Sequence, residues 1–113
     1  MSWGETITPG AFRKKDRVAT KFADGDPVGF DPRARLALMD DQGVYGSVIF
    51  PSQGLFSGSL QPAEMAAGVC RGVNRYVAEF CSADTDRLWN TATIPLADPM
   101  IAAAEAKYAV HEL

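Results

Sequence analysis

Two short runs decide the fold: Val44-Tyr45-Gly46-Ser47-Val48-Ile49-Phe50 and Leu88-Trp89-Asn90-Thr91-Ala92-Thr93-Ile94-Pro95. The first is rich in β-branched and aromatic residues. The second draws its strand preference from Trp89, Thr91, Thr93 and Ile94. A proline stops each, Pro51 and Pro95. Val48-Ile49-Phe50 is apolar on both faces, as in a parallel strand covered on both sides. Residues 51–87 separate the runs. They open with a loop, Pro51-Ser52-Gln53-Gly54-Leu55-Phe56-Ser57-Gly58-Ser59. A helix is expected from Gln61 or Pro62 to about Cys81. Met65, Val69, Val73, Val77 and Phe80 recur at helical spacing there. With Tyr76 they form one apolar stripe, with Cys70 and Cys81 on its edge and Arg71, Arg75 and Glu79 on the other side. Ser82 to Arg87 reads as a polar loop. A connection of this length with a helix inside it is a right-handed βαβ crossover, so the strands are expected to be adjacent and parallel.

Working outward, Asp31 is a natural N-cap with Pro32 at the first helical position. Leu36, Leu38 and Met39 supply the apolar side of that helix, and Gly43 follows its end as a residue able to turn left-handed. Asp98 and Pro99 repeat the same start signal for a third, alanine-rich helix, with Met100, Ile101, Ala104 and Tyr108 as expected core contacts. Residues 1–30, dense in glycine and proline, read as an irregular N-terminal segment without an element of their own. Residues 31–113 carry the α/β pattern: two parallel strands and three helices. Two parallel strands need neighbours in register and helices over both faces, so the pattern points to part of a larger α/β structure.

Composition narrows the function classes. The 113 residues are 47% hydrophobic and 22% charged, within the globular range, and the chain fits one domain at most. A net charge of −3 favours neither nucleic acid nor an anionic membrane as partner. No apolar run has the ~18 residues a membrane span requires. The N-terminal residues lack a signal-peptide pattern, and a cytoplasmic location is expected.

The chemistry-bearing residues are few. The single histidine is His111, so a site built on several histidines cannot be assembled from this chain. Cys70 and Cys81, on one helix, are about 16 Å apart along its axis and read as packing thiols rather than a disulfide or a metal pair. Asp40 and Asp41, adjacent on a helix, point about 100° apart and read as a solvated helix end. The basic run Arg13-Lys14-Lys15-Asp16-Arg17 reads as a solvated face. Gly54 and Gly58 lack the spacing of a phosphate loop.

Asp31-Pro32-Arg33-Ala34-Arg35-Leu36, Met39-Asp40-Asp41-Gln42-Gly43-Val44, Val48-Ile49-Phe50-Pro51-Ser52, Asn74-Arg75-Tyr76-Val77-Ala78-Glu79-Phe80-Cys81, Asp84-Thr85-Asp86-Arg87-Leu88 and Ile94-Pro95-Leu96-Ala97-Asp98-Pro99 occur in that order. Together they resemble the amidohydrolase-related family of the amidohydrolase superfamily, the branch that includes aminocarboxymuconate-semialdehyde decarboxylase. The resemblance covers residues 31–105 well and 1–30 loosely. It implies a partial (β/α)8 TIM-barrel segment, the early barrel after the first strand. It also implies, for the full-length family, a divalent metal, usually zinc, at the C-terminal ends of the strands. Members hydrolyse small substrates or remove carboxyl groups from unsaturated or aromatic acids. Their ligands come from an Asp/Glu-x-His pair, a later histidine and a late aspartate, and no residue here matches those positions. No catalytic or metal-ligating residue is therefore expected in this chain, and no cofactor is assigned to it.

Three readings follow. The first is a truncated or split segment of a metal-dependent hydrolase or decarboxylase acting on a small carboxylate-type substrate, inactive by itself. Its loop after the first strand would then face the site, with Ser52 and Gln53 as donors to a substrate carboxylate. The second is a non-catalytic fragment that self-associates or pairs with a complementing chain. The third is a small α/β ligand-binding domain.

Overall fold

The computed structural model describes residues 26–51 and 53–113. The chain divides into two compact units, Met1–Val44 and Tyr45–Leu113. The expectation of irregular structure over residues 1–25 lies outside the described residues.

In the first unit, Asp26 Oδ1 accepts from the Val28 amide at 3.0 Å and opens a single 3-10 turn, Pro27–Gly29. Helix α1, Pro32–Asp41, follows. It begins as the sequence indicates: Asp31 Oδ1 accepts from the Arg33 amide at 2.9 Å, and proline fills the first turn. Its end is a Schellman motif. The Val44 amide reaches the Met39 carbonyl at 2.8 Å and the Gly43 amide reaches Asp40 at 3.2 Å. Gly43 adopts φ +68°, a conformation that favours glycine. Asp40 and Asp41 are exposed, at the helix end.

The second unit is mixed α/β. Its elements are β1 (Ser47–Ile49), a 3-10 segment (Gln53–Ser59), α2 (Ala63–Cys81), β2 (Leu88–Asn90) and α3 (Pro99–Glu112). The strands pair in parallel, with Ser47 opposite Leu88, Val48 opposite Trp89 and Ile49 opposite Asn90. Bonds from the Ser47 amide to Arg87 O (2.8 Å) and from the Thr91 amide to Ile49 O (3.1 Å) extend the ladder at each end. Both strands are shorter than the apolar runs containing them. Asp84 organises the turn into β2: its carboxylate accepts from the Asp86 amide, and its carbonyl accepts from Arg87 and Leu88.

The sheet has unequal faces. Leu88 is buried, whereas Val48 is 50% and Trp89 44% exposed, and Phe50 lies open beyond them. The apolar character of Val48-Ile49-Phe50 predicts cover on both sides; among the described residues α2 packs against the sheet, and the Val48–Trp89 face stays exposed. Gly46 lies under the Trp89 indole: a Cβ there would fall 2.6 Å from the ring.

The helix faces also differ from the pattern read in the sequence. On α2 the buried line runs through Ala66, Cys70, Asn74, Val77, Phe80 and Cys81. Met65, Val69 and Tyr76 are exposed, and Val73 is half-buried. Val77 and Phe80 of the expected stripe are buried, and the 3-10 segment and α3 pack against α2. Met65, Val69 and Tyr76 lie about 100° round the helix. On α3 the buried positions are Ala102 and Glu105, while Met100 is 80% exposed and Ala104 is exposed too. Ile101 and Tyr108 flank the buried line. Asp98 caps α3 through bonds to the Met100 and Ile101 amides at 2.8 and 3.2 Å.

Two glycines give a paired prediction. A Cβ at Gly58 would meet the Ile94 carbonyl oxygen at 2.5 Å, a backbone atom. A Cβ at Gly68, on the exposed side of α2, meets nothing within 4 Å. Gly58→Ala is expected to destabilise by about 1–3 kcal/mol. Gly68→Ala is expected to stabilise by about 0.5–1 kcal/mol through helix propensity. Urea unfolding of the two variants checks both signs.

Candidate functional site

The loops leaving the C-terminal ends of the two strands meet. Pro51, buried, leads from β1 toward the 3-10 segment. A Cβ at Gly54 would lie 2.7 Å from Val73 of α2, so that segment lies directly on the helix. The Ser57 hydroxyl donates to the Gly54 carbonyl, and Ser59 Oγ donates to Phe56 O at 2.8 Å, closing the turns from within. Gly58 abuts the Ile94 carbonyl of the loop after β2. Thr91 Oγ1 adds a 3.2 Å bond to Ile49 O, tying the start of that loop to the end of β1.

Of the two residues read as carboxylate donors, Ser52 lies outside the described residues. Gln53 opens the 3-10 segment, where the sequence suggests only loop.

Behind these loops is a buried polar cluster. Asn74, 0% exposed at the middle of α2, grips the Thr93 backbone twice. Its Oδ1 accepts from the Thr93 amide at 2.8 Å, and its Nδ2 donates to the Thr93 carbonyl at 2.9 Å. Nδ2 also donates to Glu105 Oε1 at 3.0 Å. Glu105, 1% exposed on α3, takes Arg71 on its other oxygen: Nε and Nη2 both lie 2.8 Å from Oε2. The Arg71 guanidinium carbon lies 3.8 Å from the centre of the Tyr108 ring. Arg71, placed by helical periodicity on the solvent side, is exposed yet bends back to this carboxylate. No buried side-chain polar atom among the described residues lacks a partner.

Sequence reasoning passes over Asn74 and Glu105 as functional positions. The available signals are an asparagine at helical spacing from Ala66 and Cys70, and a single carboxylate inside the run Ala102-Ala103-Ala104-Glu105-Ala106.

Cys70 and Cys81 are buried free thiols on the packed face of α2. Burial pushes both above the ordinary thiol range. At Cys70 a hydrogen bond with Ser57 opposes that rise and the Glu105 charge adds to it. Both thiols pack inside the unit, and burial disfavours their thiolate forms.

The metal that the family resemblance implies finds no fit among these donors. No group of three or more His, Cys, Asp or Glu that could hold an ion occurs among the described residues. Glu105, which could offer a buried carboxylate, has both oxygens engaged. His111, in the last turn of α3, is exposed. No helix among the described residues is long and apolar enough to cross a membrane. Comparison with protein-family models finds no match to this chain, and neither does comparison with curated proteins.

The thiols give a pH prediction. In the unfolded chain they ionise at about pH 8.5, and in the folded chain above that. Between those values the unfolded chain binds fewer protons. The stability present below about pH 8.5 is therefore lost as the pH rises through the folded value. Urea midpoints are expected to fall from pH 8 to pH 10, and to fall less in Cys70→Ala. An equal fall in the variant would contradict burial of the thiol as a cause.

Proposed function

We propose that the chain is the early (β/α)8 barrel segment of a metal-dependent amidohydrolase-type hydrolase or decarboxylase acting on a small carboxylate-type substrate. The observation that carries this reading is the parallel β1–α2–β2 unit with one covered face and one bare apolar face. A barrel strand packs its outer face on helices and its inner face on side chains from other strands. Val48, Phe50 and Trp89 occupy the position such an interior requires. The loops at the strands' C-terminal ends are where a barrel places its site. Ser52 and Gln53, in the loop after β1, are the proposed hydrogen-bond donors to the substrate carboxylate.

The described residues do not supply metal ligands, so no reaction step is assigned to them. The ligands and proton-transfer residues belong, in this reading, to further strands contributed in cis or by a complementing chain.

The bare face also favours a second reading, a non-catalytic module that associates with itself. Apolar surface of this kind, on a sheet of two strands among the described residues, favours pairing.

One experiment separates them. The purified 113-residue chain is expected to retain less than about a tenth of an equivalent of zinc after dialysis, since a catalytic site takes about three protein ligands. It is also expected to turn over no carboxylate substrate. DNA flanking the coding segment is then read in all frames for an Asp/Glu-x-His strand and later barrel strands, and these are co-expressed with the chain. Zinc binding and turnover in the assembled protein support the barrel reading. Absence of such segments, together with a stable homodimer of the chain, supports the second.

A further inference from the structure

We infer that Arg71, Glu105 and Asn74 form a positioning relay that couples α3 to the backbone at Thr93, in the loop after β2. The inference is independent of the barrel reading. It starts from a shortage of backbone partners. The strand ends at Asn90, and the Thr91 amide makes the last bond to the β1 backbone, to Ile49 O. Thr93 lies beyond the ladder, and its amide and carbonyl both pair with Asn74. A primary amide presents one donor and one acceptor side by side, as a neighbouring strand would. Asn74 thus extends the pairing of this segment past the end of the sheet.

The Asn74 amide is itself held. Its acceptor is committed to the Thr93 N–H, so its NH2 group has two hydrogens to place. One goes to Thr93 O and the other to Glu105 Oε1. The Glu105 carboxylate accepts from Asn74 on one oxygen and from Arg71 on the other, and the guanidinium stacks on Tyr108. The Thr93 backbone is therefore set, through Asn74, by two residues that do not bond to it.

The consequence reaches the other loop. The Ile94 carbonyl lies against Gly58, so the backbone at 93–95 also limits where the 3-10 segment can lie. The outer end of the relay is accessible, because the Arg71 side chain is 46% exposed.

Amide hydrogen exchange on the full chain tests the relay, with Thr91 as internal reference because its amide bonds Ile49. In Glu105→Ala, Thr93 exchange is expected to accelerate about tenfold more than Thr91 exchange, the equivalent of one hydrogen bond's net contribution. Glu105→Gln can still accept from Asn74 with its one carbonyl oxygen, and the Thr93 acceleration should fall to within about threefold of the reference. Arg71→Met, at an exposed position, keeps the Glu105–Asn74 bond but removes the cation, and about a threefold selective rise is expected. If Glu105→Ala does not fold, Arg71→Met and Glu105→Gln carry the same comparison. Equal acceleration of Thr93 and Thr91 in every folded variant, or none, overturns the relay, because loss of global stability moves both amides together.

Discussion

The two hydrogen bonds between the Asn74 side chain and the Thr93 backbone hold this unit together where its secondary structure is too short to do so. Each strand has three residues, and a two-stranded parallel ladder of that length contributes little by itself. Helix α2 must therefore be joined to the sheet by other means. Apolar contact through Leu88, Val77 and Phe80 is non-directional and would tolerate sliding. A bidentate amide–backbone pair does not. Each bond is worth about 1 kcal/mol net, but leaving the same buried groups unpaired would cost about 1–3 kcal/mol apiece. The penalty for the wrong arrangement therefore sets the register of α2 on the loop more than the reward for the right one.

That constraint explains a carboxylate in an alanine-rich helix face. A buried charge is tolerated only when paired and hydrogen-bonded. Glu105 meets both conditions through Arg71 and Asn74, and its second role is to occupy the Asn74 hydrogen that Thr93 cannot use. The thiols respond to the same environment. Cys70 lies one turn before Asn74, next to Ser57, and the Glu105 charge helps keep it protonated.

Local signals were legible wherever the chemistry is local. Asp31-Pro32 and Asp98-Pro99 mark helix starts because cap and first-turn proline act within three residues. Gly43 marks a helix end because only the backbone around it matters. The parallel pairing followed from chain length and the intervening helix. The packed faces were legible in part: Val77 and Phe80 of the expected stripe are buried. Met65, Val69 and Tyr76 look like the core stripe of α2, yet the helix buries Ala66, Cys70 and Asn74. Choosing between adjacent stripes depends on what approaches, here the 3-10 segment and α3. Met100 was misleading for the same reason, since α3 buries Ala102 and Glu105 instead. The polar cluster joins residues from three separated segments, and no spacing rule connects Arg71 and Asn74 to Thr93 and Glu105.

The two faces of the sheet carry the remaining functional argument. Helix α2 packs on the Leu88 side of the sheet, and the Glu105 carboxylate accepts from Asn74 on one oxygen and from Arg71 on the other. Val48, Phe50 and Trp89 lie exposed on the other side. Gly46 shows that this side is shaped as well as bare, since the Trp89 ring folds across it at a distance no side chain would allow. With the edge of its six-membered ring against Gly46, Trp89 stays 44% exposed toward whatever covers the sheet. In the proposed barrel that partner is the interior packing of further strands, and in the self-associating reading it is a second copy. Either way, the covering surface must be apolar and must accommodate an aromatic plane.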